Sequence, residues 1–324
     1  YFNNPSRNTG LNAPPPDAVQ EFKIQTSNFS AESGRNPGAN ITIVSRQGTN
    51  EFHGAAWEFH RNDNLNARSF FQTTRPQLIQ NQFGVAAGGP VKRNKLFTFG
   101  TFELLRDRRQ AATTDAFPIT RREAAGDFSH LLPGRQLVNP TNNEPFPNNQ
   151  IPASMFDPVS RRLLEFIPVV ESGLLQSVGP NPRNSELYMV RMDYILTDKQ
   201  TLFGHYYLNQ NSVSAPVLAY GSNISGWTGQ TQRPRFQNAG INHTYTLSAN
   251  VLNQVTLGYT RSFSLTTPTV TRLPQELNLP TLPVYTDGGS PQFRATGRFN
   301  LNSGGPVKFI SNTYQIQENL SWVK

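Results

Sequence analysis

Strict alternation of apolar and polar residues is the feature that most constrains this chain. Over 187–196, Tyr188, Val190, Met192, Tyr194 and Leu196 are apolar, and the charged Arg191 and Asp193 stand between them. Such a period places the two sets on opposite faces of a β-strand. The turn Thr197-Asp198-Lys199-Gln200 follows. The next run, Leu202 to Asn209, carries aromatics on both faces, so its facing stays open. The pattern returns in 236–247 with Ala239, Ile241, Tyr245 and Leu247, and in 251–263 with Val255, Leu257, Tyr259 and Phe263. Earlier, 51–60 sets Trp57 and Phe59 against Glu58 and His60, and 82–89 and 96–105 flank a turn at 90–95. A last run carries Tyr314, Ile316, Leu320 and Trp322.

The connections between these runs alternate as well. Those near 90–95, 197–200 and 248–250 are short, and those near 62–80, 106–186, 210–233 and 264–306 are long. A soluble sandwich has no reason to gather its long loops at one end. An outer-membrane barrel does, with short periplasmic turns and long extracellular loops. Its strands need about 9–11 residues, as the runs here provide. Asn, Gln, Thr, Ser and Gly dominate the polar face, which suits a water-filled lumen better than bulk solvent. Trp57, Tyr259 and Trp322 fit interfacial girdles.

The expected fold is therefore all-β: a partial transmembrane β-barrel of about eight antiparallel strands, taken from a larger barrel, with long extracellular loops. A soluble or surface-attached β-rich binding module, adhesin-like, is the alternative. The chain starts with Tyr1 and stops at Lys324 inside an unfinished alternation, so it is expected to be a piece of a longer protein. The long insert at about 106–186 needs structure of its own. Asp157 followed by Pro158 reads as a helix start, with Val159, Leu163, Leu164 and Ile167 at helical spacing and Pro168 as the stop.

Composition removes other classes. There is no Cys, which excludes disulfide scaffolds and thiolate chemistry. No apolar run approaches the roughly 18 residues of a membrane helix. The net charge is +8, from 29 Lys and Arg against 21 Asp and Glu, but the basic residues are scattered singly or in pairs. They form no stripe with interleaved aromatics, so nucleic acid is not an expected partner. GxSxG, P-loop and GxGxxG motifs are absent, and the five His make no close ligand pair. No metal, no cofactor and no enzymatic activity are expected. Asp127 and Asp157 read as a loop turn and a helix cap.

Several segments, taken in order, resemble TonB-dependent outer-membrane receptors, and most closely their Oar-like branch. The stretch Asp17-Ala18-Val19-Gln20-Glu21-Phe22-Lys23-Ile24-Gln25-Thr26-Ser27-Asn28-Phe29-Ser30-Ala31-Glu32 resembles the end of the plug domain of that family. Gly38-Ala39-Asn40-Ile41-Thr42-Ile43-Val44-Ser45-Arg46-Gln47-Gly48-Thr49-Asn50-Glu51-Phe52-His53-Gly54 is similar to its plug-to-barrel junction. Asn62-Asp63-Asn64-Leu65-Asn66-Ala67-Arg68-Ser69-Phe70-Phe71 resembles its first extracellular loop, and 82–91 with 95–99 its next hairpin. Within the insert, Ala125-Gly126-Asp127-Phe128-Ser129 and Pro145-Phe146-Pro147-Asn148-Asn149-Gln150-Ile151-Pro152 look like recurring family segments.

The resemblance implies residues 1–48 as the C-terminal part of a plug and 49–324 as the N-terminal part of a barrel in the bacterial outer membrane. It implies TonB as a partner, through a TonB box upstream, and import of a bulky scarce solute such as a siderophore, cobalamin, an oligosaccharide or a peptide. Residues 19–46, broken at Gly34-Arg35-Asn36-Pro37-Gly38, are expected to stay out of the barrel wall. Tyr188, Val190, Met192 and Tyr194 should face outer-membrane lipid, and Arg191 and Asp193 the lumen. Glu58 and His60 share a strand face and are candidate lumen groups able to touch a ligand. Arg46, between plug and first strand, is the candidate plug–barrel contact, pairing with a barrel carboxylate.

Overall fold

The computed structural model describes residues 14–26, 40–68, 70, 75–110, 114–215, 224, 229–269, 292–301 and 305–324. The break at 34–38 lies outside them. Strand β1 (Val19–Gln25) pairs antiparallel with β2 (Asn40–Ser45), and this pair forms a sheet of its own. The wall begins with β3 (His53–Asn62), β4 (Leu78–Lys92) and β5 (Leu96–Arg109). In the long insert, β6 (Thr114–Ala116) pairs with β7 (Leu175–Ser177) around α1 (Arg121–Ala124) and α2 (Pro158–Leu164). The wall resumes with β8 (Arg183–Thr197), β9 (Gln200–Ala215), β10 (Gln230–Ser248) and β11 (Val251–Pro268). A small pair, β12 (Phe293–Ala295) with β13 (Phe299–Leu301), precedes the last wall strand, β14 (Val307–Trp322).

The eight wall strands form one antiparallel sheet in the order β14-β11-β10-β9-β8-β5-β4-β3. Each strand therefore pairs with the wall strand next to it in sequence, as an up-and-down barrel requires. The sheet is open, with β3 and β14 at its edges. Strands reach further into the long connections than alternation predicted: β5 runs to Arg109 rather than 105, and β8 starts at Arg183 rather than 187. The tight turn after β4 closes through Lys95 N–H to the Lys92 carbonyl (3.1 Å), with Asn94 at φ 59°. Asn is one of the few residues that tolerates that conformation at low cost. Asn50 clamps this turn, with its side-chain amide bonded to both the Asn94 side chain (2.6 Å) and the Asn94 N–H (2.8 Å).

One face of the wall is apolar. Phe102, Tyr188, Leu208 and Val85 sit at matched positions on it, as do Val190, Tyr206, Ala239, Tyr259 and Tyr314 one step toward the short turns. Phe102 and Tyr188 pack together with ring centroids 4.7 Å apart and planes tilted by 37°. Ile316 is 80% exposed and Trp322 71%, at the edge strand of this face. The opposite face is covered by the β1–β2 pair. Its core gathers Ala86, Phe99, Leu187, Met189 and Tyr207 with Ala18, flanked by Trp57 and Phe236. The facing left open for β9 is thereby settled: Phe203, His205 and Tyr207 point inward, opposite Asp193, Arg191 and Met189.

At the long-connection end the loops build a second core. Ala116 and Ile167 from the insert, Ile224 from the β9–β10 connection and Leu301 from the β11–β14 connection are buried together. Asp157 caps α2 by accepting from Val159 N–H (2.8 Å) and Ser160 N–H (3.0 Å), as its sequence predicts. Helix α1 was not anticipated; Thr120 and Glu123 close it with a reciprocal capping box. Arg298 fastens the β12–β13 pair to this helix, donating to Glu123 Oε1 (2.7 Å), Glu123 Oε2 (2.8 Å) and the Pro118 carbonyl (2.9 Å).

Two predictions follow from this architecture. Val190→Arg places a cation on the apolar face and should destabilise the protein in lipid vesicles by about 2–4 kcal/mol, whereas Thr313→Arg on the inner face should cost far less; urea unfolding in vesicles measures both. The Glu123 carboxyl is held at about 2, first by its bonds from Arg298 and then by the Thr120 N–H, against 4.5 when unconstrained. A depressed carboxyl stabilises the folded loops above the unconstrained value and loses that contribution as pH falls through the folded one. The protection factor of the Phe117 amide, whose N–H bonds the Arg298 carbonyl, taken against the intrinsic exchange rate at each pH, should hold steady from pH 8 to about pH 5 and fall between about pH 4 and pH 2.

Candidate functional site

The inner face of the wall and the β1–β2 pair seated on it form the candidate site. At its centre lies Arg191 on β8, only 8% exposed. Its Nε and Nη2 hold the Asp193 carboxylate in a fork (2.9 and 2.7 Å), and its Nη1 donates to the Ser45 carbonyl (2.9 Å) and Oγ (3.3 Å) at the end of β2. Its guanidinium lies 4.6 Å from the centroid of the Phe203 ring on β9. Residues two apart on a strand share a face, so Arg191 and Asp193 meet there by local geometry. Planar donors and a stacking surface are the setting in which Arg outperforms Lys.

Around this point is a cavity of about 330 Å³ between the β1–β2 pair and strands β8, β9, β10, β11 and β14. Its wall side carries Met189, Tyr207, Asn238, Thr260 and Gln315. Asn238 links strands, its Oδ1 accepting from His205 Nε2 (2.7 Å) and its Nδ2 donating to Thr260 Oγ1 (2.9 Å). Gly240 makes room for the His205 ring, since a Cβ there would stand 2.5 Å from its Cε1. The linker after β2 also presses on the wall: a Cβ on Gly48 would lie 2.3 Å from the Thr98 carbonyl oxygen, a backbone atom that cannot swing away.

Four sequence-based placements need correction. Glu58 and His60 do share a face, but it is the outer one. Glu58 sits opposite Phe83 and His60 opposite Asn81, on the side of Val85 and Phe102. Trp57 decides this. Its indole turns inward, donates to Glu103 Oε2 (3.2 Å) and fills the space over Gly84, where a Cβ would come within 2.5 Å of the ring. Trp57 is thus an inner residue rather than a girdle residue. His60 meets the Asn81 side chain (2.6 Å), and beside it Glu186 receives Arg106 (2.8 Å) and Gln210 (2.8 Å) in an outward polar ladder near the loops.

Arg46 is the fourth case. Its Nε donates to the Val19 carbonyl (3.3 Å) and its N–H to the Ala18 carbonyl (2.9 Å), both on the segment that carries β1. No wall carboxylate pairs with it among the described residues. The contact expected of Arg46 is made in the reverse sense, from the wall to β2, by Arg191. The alternation that put Arg191 inward was its only sequence signal. Ser45, Gly48 and Trp57 carried none that singled them out as contacts.

Comparison with known proteins places this geometry. The family described as outer membrane beta barrel domain matches residues 44–324. The chain belongs to that family. It is a barrel wall of the bacterial outer membrane, and the soluble β-module alternative falls away. Over 186 residues the chain is also 27% identical to the TonB-dependent transporter Oar of Myxococcus xanthus, a region covering 45% of this chain and 17% of that protein. The chain thus spans less than a fifth of that relative. No solved structure matches it.

Arg191→Ala should release the β1–β2 pair. Two hydrogen bonds from a charged donor are lost, each worth about 1.5–3 kcal/mol. Hydrogen exchange of the β1 and β2 amides is expected to accelerate at least about tenfold, while the β9–β10 amides keep their protection.

Proposed function

We propose that this chain forms part of the wall, and the adjoining part of the plug, of a TonB-dependent transporter that imports a bulky scarce solute across the outer membrane. The observation that carries the reading is the β1–β2 pair held against the inner face by Arg191. A segment lodged inside a barrel wall blocks the lumen, and transport then requires that it be moved. The similarity to a TonB-dependent transporter supports the same reading. On this view β1, β2 and the segment through Gly48 are the end of the plug, and the wall begins at β3.

The open edges support further strands on both sides. Unpaired N–H and C=O groups in hydrocarbon cost several kcal/mol each. An eight-stranded barrel closed on itself has an interior only wide enough for side chains, which leaves no place for the β1–β2 pair. A wider barrel resolves both constraints. TonB would pull from the periplasmic side, using the proton gradient of the inner membrane. The chain itself binds and gates, and carries out no covalent chemistry. The resemblance to the Oar-like branch allows siderophores, cobalamin, oligosaccharides and peptides as cargo.

The test is uptake in cells carrying the whole protein. Deleting its gene should abolish accumulation of one solute from these four classes, and collapsing the inner-membrane proton gradient or deleting TonB should reproduce the loss. Accumulation that depends on the protein yet survives both treatments would overturn the proposal.

A further inference from the structure

The basic residues are scattered in the sequence, but the wall gathers four of them outward. Arg233 and Arg235 on β10, Arg261 on β11 and Lys308 on β14 all occupy positions of the apolar face, in its half nearest the long connections. Arg235 is opposite Phe263, and Arg233 is opposite Leu265, which in turn is opposite Lys308. Phe263 is also opposite Ile310, and Arg261 stands one step along the same face from Phe263. The four cations thus frame Phe263, Leu265 and Ile310. With strands about 4.8 Å apart, Arg233 and Lys308 are about 10 Å from each other across the frame.

Their height matches the lipid headgroups. At about 3.3 Å per residue and a tilt of about 40°, Arg261 stands about 25 Å above the start of β11 at Val251. By the same measure Arg235 stands about 30 Å above Leu247, and Lys308 about 35 Å above Trp322. The apolar band of such walls is about 25 Å tall, so the cations lie at its outer rim and just beyond. Arg233, Arg235 and Lys308 are exposed. None of the four is in an ion pair among the described residues.

Among the described residues no carboxylate is paired with these four cations. The neighbouring outward positions include Gln210, opposite Arg235, and Ser212, Gln237, Thr267 and Asn312, all uncharged. The outward carboxylate of Glu186 is already engaged by Arg106 and Gln210. Glu318 lies toward the other end of β14, about 33 Å along the strand from Lys308. Four like charges placed at a membrane rim, none of them ion-paired among the described residues, repel one another unless an anion sits among them.

We propose that this patch binds a phosphorylated lipid of the outer leaflet, with its phosphate among Arg233, Arg235, Arg261 and Lys308 and its acyl chains along Phe263, Leu265 and Ile310. The arrangement matches both halves of such a molecule. Arg presents planar donors to phosphate oxygens, and the aromatic and aliphatic side chains meet hydrocarbon immediately below. Binding here would brace β10, β11 and β14 from outside, at the level where the loop core begins.

The experiment uses the whole protein, purified in mild detergent and placed in phosphatidylcholine nanodiscs, with bisphosphorylated lipid A as the probe and native mass spectrometry as the readout. The protein should retain bisphosphorylated lipid A and should discriminate against the dephosphorylated form. Each of Arg233→Gln, Arg235→Gln, Arg261→Gln and Lys308→Gln is expected to weaken retention about fivefold. The triple variant Arg233→Lys, Arg235→Lys, Arg261→Lys keeps the charge and should keep most of the binding. Equal retention of phosphorylated and dephosphorylated lipid would overturn the proposal, as would a quadruple Gln variant that binds normally. Displacement by inorganic phosphate at the same concentration would also overturn it, since the site would then be a general anion patch. Should the Gln variants fail to assemble, the comparison of the two lipid forms on the unmodified protein still decides.

Discussion

Backbone groups set inside hydrocarbon must bond to one another, because there is no water to accept or donate in their place. Antiparallel pairing meets this demand along the wall, strand to next strand, and most other features follow from it. Pairing fixes the period of two, and the period separates a lipid face from a lumen face. It also makes each short turn a point where register is set, which is why Asn50 clamps Asn94 at the foot of β3 and β4. Among the described wall strands the demand is unmet at β3 and β14, the open edges of the sheet.

Given pairing, the choice of which face points inward rests on a few bulky side chains. Alternation separates Tyr188 from Arg191 without ambiguity, because burying a charge in lipid is expensive. On β3 the same logic misled. Glu58 and His60 are polar, and polarity alone points them to the lumen. At the outer rim of a wall, however, polar residues face outward into the headgroup region, where they bond to Asn81 and its neighbours. The inward choice on β3 was made by Trp57, whose indole needs both an acceptor and a space without a Cβ. Glu103 and Gly84 supply them from 46 and 27 residues away, a pairing that becomes visible only once strand register is known.

The loops show the same division between local and distant causes. Asp157 and Pro158 announce α2 because capping is decided within four residues. The fastening of the loop core by Arg298 and Glu123 spans 175 residues, so nothing near either residue marks it. The fold class was legible because alternation and the order of connection lengths repeat along the whole chain. The site was legible only in part: Arg191 and Asp193 could be placed together on one face, but their contact with Ser45 depends on where a separate strand pair comes to rest.

The form of that contact bears on what it can do. A buried ion pair split between two moving parts would leave two unpaired charges when the parts separate, at a cost of several kcal/mol. Arg191 is arranged otherwise. Its charge is met by Asp193 on its own strand, and what it offers β2 are hydrogen bonds to a carbonyl and a hydroxyl of Ser45. Withdrawing β2 breaks those bonds but leaves the guanidinium paired, stacked on Phe203 and open to water from the lumen. Ser45, being neutral, carries no charge into its new surroundings. A contact built in this way is strong enough to seat the β1–β2 pair and cheap enough to break and remake. That combination distinguishes a docking contact from a permanent rivet such as Arg298, whose charge is balanced across the two loops that it joins.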